Sequence, residues 1–253
     1  MHIVDVHCHI DLYESFAEEP FNLDAFIDEN KKAGVKAIIS NGTAPESNRK
    51  VLELAKKHDV IKPALGFYPT HVLEYSEEQF DEELKFIAKQ DIIAIGEIGL
   101  DKYHIKDKLP EMSIALEKLI HLAKKMNKPC LIHSRNAEME TIDLLENFGY
   151  KKIVMHCFSG RKNLIKRIID NGWHFSIPCT IVKLEHFQNI VKTAPFETIL
   201  TETDGPFLSP FKDSVRNEPR FIAESIQKIA EIKQFDPEET ANMLFMNYQR
   251  LFL

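Results

Sequence analysis

Short apolar or β-branched runs alternate with longer amphipathic ones from one end of the chain to the other. The strand-like runs lie near Ile3–His9, Ala37–Asn41, Lys62–Gly66, Ile92–Ile98, Cys130–His133, Ile153–Cys157, His174–Ile177 and Ile199–Thr203. Helical periodicity fills the intervals near Leu23–Ala33, Ser47–Lys57, Ser76–Lys89, Met112–Met126, Ala137–Asn147, Lys162–Asn171, Leu184–Val191 and Glu218–Ile232. In the fourth of these, Ala115, Leu116, Leu119, Leu122, Ala123 and Met126 recur at three- and four-residue spacing, which lines one helical face. Gly34, Gly149 and Gly172 follow three helices, where a left-handed residue commonly ends one. A last helix is expected from Pro237, capped by Asp236, to about Arg250.

Strands alternating strictly with helices imply a parallel sheet covered by helices. The expected fold is a (β/α)8 TIM barrel with an extra C-terminal helix, and an open doubly wound sheet is the runner-up. The 253 residues suit one such barrel. No Pro- or Ser-rich linker or repeat divides them, so residues 1–253 are expected to form a single domain.

Composition narrows the class. Hydrophobic residues make up 44% and charged residues 28%, which is globular, and no apolar run reaches membrane-spanning length. No basic segment leading into an apolar stretch opens the chain, so no targeting peptide is expected. Cys8, Cys130, Cys157 and Cys179 form no C-x-x-C pair; the first three lie in strand-like runs and read as buried free thiols of a cytoplasmic protein. The formal net charge of −7 disfavours broad, non-specific grip on duplex nucleic acid. It leaves a phosphate substrate open, because metal ions supply positive charge locally.

Candidate ligands fall on the strands in a consistent way. His7 and His9 end the first, Glu97 the fourth and His133 the fifth; His156 lies near the end of the sixth, and Asp204 follows the eighth. Barrel enzymes keep their chemistry at these C-terminal ends. Side chains two apart on a strand share a face, so His7 and His9 can reach one ion while Cys8 points toward the helices. Alone, that pair is weak evidence; with four further ligand types at matching positions, chance becomes a poor account. Four histidines and two carboxylates exceed one tetrahedral zinc and suit two divalent ions, zinc, magnesium or manganese, with Glu97 able to bridge.

Neighbouring positions are more ambiguous. The glycines of Gly96-Glu97-Ile98-Gly99 let backbone close around the carboxylate, and a plain turn role accounts for them nearly as well. Arg135 has a planar fork suited to a phosphate, and a solvated loop arginine is an equal account. His58, His121 and His186 read as surface residues, and His174 opens a strand away from the mouth. His71 could line the pocket; His2 and His104 are left unassigned.

At these residues the chain resembles the TatD family of metal-dependent deoxyribonucleases, within the amidohydrolase-type barrel superfamily. The matching blocks are Asp5-Val6-His7-Cys8-His9, Gly96-Glu97-Ile98-Gly99-Leu100-Asp101, Ile132-His133-Ser134-Arg135, His156-Cys157-Phe158-Ser159-Gly160, Glu202-Thr203-Asp204-Gly205-Pro206 and Arg216-Asn217-Glu218-Pro219. The resemblance implies hydrolysis of DNA phosphodiester bonds by a metal-activated water. It carries over His7 and His9 as ligands of one metal, His133 and His156 as ligands of a second, and Glu97 as the bridge. Asp204 would bind metal and orient or deprotonate the water, so Asp204 and Glu97 are the expected catalytic pair. The acidic surface favours single-stranded or frayed DNA ends as substrate.

Three departures from the family pattern stand out. Gly66-Phe67-Tyr68-Pro69-Thr70 stands where the family commonly has Gly-x-His-Pro-His. A usual glutamine is replaced around Glu111, and Asp213-Ser214-Val215-Arg216 lacks a usual glycine. A hydrolase of the same superfamily acting on a small ester, lactone, amide or phosphate ester is the alternative function, and a non-catalytic metal-stabilised binding module a third reading.

Overall fold

The computed structural model describes residues 1–17, 20–211 and 216–253. Among these, eight strands pair in chain order, each parallel to the next: β1 (Ile3–Cys8), β2 (Val35–Asn41), β3 (Ile61–Leu65), β4 (Ala94–Asp101), β5 (Cys130–Arg135), β6 (Ile153–His156), β7 (His174–Pro178) and β8 (Ile199–Glu202). The helices are α1 (Tyr13–Phe16), α2 (Leu23–Lys32), α3 (Pro45–Lys57), α4 (Glu77–Ile87), α5 (Leu109–Met126), α6 (Glu138–Phe148), α7 (Lys162–Asp170), α8 (Glu185–Thr193), α9 (Ile222–Lys233) and α10 (Pro237–Phe252). Their ends carry the expected chemistry. Ser76 and Gln79 form a capping box on α4, the Asp236 side chain caps α10, and Gly34, Gly149 and Gly172 all have positive φ.

The open doubly wound alternative is excluded at the seam between β8 and β1. The Asp204 N–H donates to His7 O (2.9 Å), the His9 N–H donates to Gly205 O (2.7 Å), and Thr201 Oγ1 donates to Val4 O (2.7 Å). Asp5 adds a side-chain clamp. Its Oδ1 accepts from the Thr203 N–H (3.0 Å) and its Oδ2 from Thr203 Oγ1 (2.5 Å). The sheet therefore closes into the (β/α)8 barrel.

Two apolar clusters follow from strand alternation. Ile38, Ile61, Ile132, Met155, Phe175 and Ile199 face outward to the helices, whereas Val4, Val6, Ile39, Leu131, Val154 and Leu200 fill the barrel. Tyr248, Leu251 and Phe252 of α10 join the interior cluster, and Phe245 of the same helix meets the ring of His2 edge-on at 5.0 Å. The extra C-terminal helix thus plugs the N-terminal floor, leaving the other end for chemistry. No helix among the described residues is long and apolar enough to cross a membrane.

Several boundaries differ from the sequence expectation. β4 runs on to Asp101, so Glu97 sits mid-strand rather than at its end. β6 stops at His156, and Cys157 is half-buried with positive φ rather than buried, while Cys8, Cys130 and Cys179 are buried and free. On α5, Leu122 and Met126 are only half-buried, and Met112 and Ile120 complete the buried face instead. α9 starts at Ile222, after a 3-10 turn over Pro219–Phe221. Glu111, where the family glutamine is replaced, lies exposed near the start of α5. Of the 213–216 loop, residues 213–215 lie outside the described residues.

Candidate metal centre

Two local irregularities aim the candidate ligands. In β1, Val6 belongs to the interior cluster and Cys8 to the outer one, although strict alternation would put both on one side. The register against β2 shifts between Asp5 and Cys8, and the shift turns His7 and His9 into the barrel mouth. In β4, interior Ala94 and outward Ile98 break parity the same way, with a register shift against β5 between Ile95 and Ile98. Without it Glu97 would share the helix-facing side of Ile95. β5 and β6 need no such device: Leu131 and Val154 point inward, Ile132 and Met155 outward, and His133 and His156 inward again. Gly99 permits the approach of β4 to β5 here, since a Cβ on it would lie 1.9 Å from His133 O.

The side chains converge. His7 Nε2 lies 3.3 Å from His9 Nε2, 3.5 Å from Glu97 Oε2 and 3.7 Å from Asp204 Oδ1. His9 Nε2 is 3.4 Å from Glu97 Oε2 and 3.5 Å from Asp204 Oδ1. Four donors around an ion at zinc-type bond lengths of about 2.0–2.1 Å form a tetrahedron with edges of about 3.4 Å. The residues therefore fit a divalent cation. The other Glu97 oxygen faces elsewhere: Oε1 is 2.9 Å from His133 Nδ1 and 3.8 Å from His156 Nε2. His7–His9–Asp204 and Glu97–His133–His156 are both groups able to hold an ion.

A further layer fixes the imidazoles. His9 donates from Nδ1 to Asn41 O (3.1 Å), leaving Nε2 for the mouth. His156 Nδ1 pairs with Glu202 Oε2 (2.9 Å), which is also held by Ser176 Oγ. His133 Nε2 pairs with Asp101 Oδ2 (3.0 Å). Sequence alone assigns no role to Asp101 or Glu202, although both lie in the blocks that carry the family resemblance; a charged residue within an apolar run is the available signal.

Electrostatics divide the histidines. Burial, helped by neighbouring imidazoles, lowers His7 and His156 from the ordinary histidine value and keeps them neutral. Burial opposes charge on His133 too, but its bonds to Asp101 and Glu97 outweigh that and raise it to about 9. His9 is likewise raised, burial being overcome by Asp204 and Glu97. For Glu97, burial is outweighed by His7, His133 and His9, which hold it well below the usual carboxylate range. Asp204 is lowered against burial by His9, His156 and His7.

The group opens into a cavity of about 740 Å³, walled by Tyr68, His71, His104, Arg135, Phe207 and Leu208. Arg135 ends β5 with its guanidinium 3.8 Å from the Tyr103 ring centre and 3.4 Å from His104 Nε2. His71 lines the wall as anticipated, its Nδ1 donating to Thr43 O (3.0 Å), and the unassigned His104 is there too. His121 is exposed, but His58 and His186 are half-buried rather than on the surface, the first beside Asp24 (3.3 Å) and the second bonded to Phe158 O (2.9 Å).

Comparison with known proteins agrees with the geometry. The sequence model of the TatD related DNase family matches residues 4–253. The human deoxyribonuclease TATDN3 is 33% identical, over 99% of this chain and 94% of that protein. An uncharacterized metal-dependent hydrolase of Methanocaldococcus jannaschii is 32% identical, over 98% and 96% respectively. The crystal structure of YJJV, a TatD homolog from Escherichia coli, superposes with a TM-score of 0.88 at 27% identity, over 99% of this chain and 97% of that one. The match spans all eight strands of the barrel and the residues gathered at its mouth, so this chain belongs to the TatD related DNase family and is a metal-dependent hydrolase.

Proposed function

We propose that the chain is a deoxyribonuclease that hydrolyses phosphodiester bonds at single-stranded or frayed DNA ends, using two divalent cations. One observation carries the reading: the two oxygens of Glu97 face two different donor groups across the floor of one open cavity. His7, His9, Asp204 and Glu97 Oε2 would hold one cation, and Glu97 Oε1, His133 and His156 the other. When bound, such a pair supplies Lewis-acid stabilisation of the phosphoryl charge and acidifies water for attack.

The remaining work falls to side chains. Asp204 lines the cavity wall, and its lowered pKa keeps it ionised, so its carboxylate is suited to bind a cation and to orient the attacking water through a hydrogen bond. Arg135 stands at the rim, where its fork matches a phosphate adjoining the scissile one. A net charge of −7 gives little hold on a long duplex, which is why ends and single strands are favoured.

The test is cleavage of end-labelled single-stranded, frayed and blunt duplex oligonucleotides by protein loaded with magnesium, manganese or zinc. The expected order is single-stranded or frayed above blunt. Intact single strands under all three metals would defeat the proposal, and turnover of chromogenic esters or lactones in their place would favour a small-molecule hydrolase.

A further inference from the structure

We infer that Tyr68 is a positioning residue for the second cation: through Asp101 it locks the His133 ring with Nδ1 turned toward Glu97. The inference rests on the two-cation reading above and names a device that tunes one of its two sites.

The lock is built around a fully buried carboxylate. Asp101 Oδ1 accepts the backbone N–H groups of Tyr103 and His104, both at 2.8 Å. Its Oδ2 accepts the Tyr68 hydroxyl at 2.7 Å and faces His133 Nε2 at 3.0 Å. A carboxylate has about four acceptor positions, and here four donors occupy them. An ionised Asp101 can only accept, so His133 must carry a proton on Nε2. That assignment leaves Nδ1, 2.9 Å from Glu97 Oε1, as the nitrogen available to a cation.

Tyr68 completes the arrangement from the cavity side. Its hydroxyl is also 3.4 Å from His133 Nε2, and its ring leans on the imidazole with centres 4.8 Å apart. Its own backbone is anchored by an N–H bond to Thr43 O (2.9 Å). Rotation of the His133 ring would have to displace the phenol and break its hydroxyl bond together with the Asp101 pair. Among the described residues the hydroxyl pairs only with Asp101 and His133, so removing it should leave the His7–His9–Asp204 group untouched.

Titration of metal-free protein with manganese or zinc, followed calorimetrically, tests this. The wild type should take up two equivalents in separable steps. The second cation has three protein donors, Glu97 Oε1, His133 and His156, against four for the first, so its step is the weaker. In Tyr68→Phe that step should loosen by about 10-fold, and in Asp101→Asn by about 10- to 100-fold, the range for loss of a ligand's hydrogen-bond partner. The tighter step, unchanged, reports that each variant is folded. In ¹⁵N-histidine spectra of the zinc-loaded protein, the His133 Nε2–H should be protected from solvent exchange, and Tyr68→Phe should speed that exchange without moving the His9 signals. Two equivalents with an unaltered weaker step, or equal loosening of both steps, overturn the inference alone. A wild type that binds a single equivalent overturns the two-cation reading and this inference with it.

Discussion

Glu97 Oε1 lies 2.9 Å from His133 Nδ1, and both atoms are electron-pair donors in the tautomer that Asp101 selects. Two such atoms held this close call for a cation between them or a proton on the ring. Glu97→Gln keeps the shape but removes the charge and one of the two oxygen donors. It should cut bound metal from about two equivalents to one or fewer and lower DNA cleavage by about 100-fold or more. Metal analysis of the purified variant beside its cleavage rate checks this; full metal occupancy would contradict the bridging role.

The barrel seam offers a second test, independent of metal. Thr203 donates both its N–H and its hydroxyl to Asp5, a carboxylate with no solvent exposure. Thr203→Val keeps the volume and strips one donor from a buried acceptor. The expected cost is about 1–3 kcal/mol of unfolding free energy, measured by denaturant titration of metal-free protein. A change within about 0.5 kcal/mol, typical of an indifferent surface site, would mean the clamp does not hold the seam.

The floor plug should matter for stability and not for the centre. Phe252 is 8% exposed and packs in the interior cluster with Tyr248 and Leu251. Phe252→Ala should lose about 3–5 kcal/mol, reduced to the extent that the chain end can collapse into the gap. Bound metal per folded chain should stay at the wild-type level, because the plug and the candidate ligands occupy opposite ends of the barrel. Loss of metal at unchanged stability would reverse that assignment.

How much of this could be read from sequence depended on strand parity. His133 and His156 were legible because β5 and β6 keep strict alternation, so an apolar run ending in histidine places the ring correctly. His7 and His9 were legible as a pair, but their aim depends on a register shift that no pattern of residues announces. Sequence makes Glu97 a candidate ligand at a strand end, because Gly99 reads as a breaker. In the barrel that glycine is what allows β4 to press against His133 O and continue to Asp101. The breaker reading puts Asp101 beyond the strand and hides its bond to His133. Glu202 and Asp5 likewise show no role in the sequence, since what they do depends on partners 46 and 198 residues away, His156 and Thr203.

His174 makes stability pH-dependent in a definite direction. It opens β7, and burial lowers its pKa from the ordinary value of 6.5, only partly offset by a bond to the Ile153 backbone. Folding therefore favours the neutral ring. The unfolded chain binds the proton more readily, so stability is fully present above about pH 6.5 and is lost as pH falls toward the folded value. His174→Gln removes this proton uptake. The variant's melting temperature should fall less than the wild type's between pH 7.5 and 5.5, measured without metal, and identical slopes would exclude His174 as a contributor.

Arg135 distinguishes grip on the substrate from chemistry at the phosphate. Among the described residues no carboxylate lies within ion-pair distance of its guanidinium, which rests on Tyr103 and beside His104 at the cavity rim. A cation so placed keeps its charge for an incoming anion, and the ring below restricts where the fork can point. If Arg135 holds a phosphate next to the scissile one, Arg135→Ala should raise KM for a single-stranded oligonucleotide and change kcat little. It should also make the salt dependence of binding shallower by about 0.7, the share of one phosphate contact on a single strand. A small phosphodiester lacking the neighbouring phosphate should then be cleaved as well by the variant as by the wild type. If the small substrate suffers equally, Arg135 acts on the scissile group itself, and the rim is not where the strand is held.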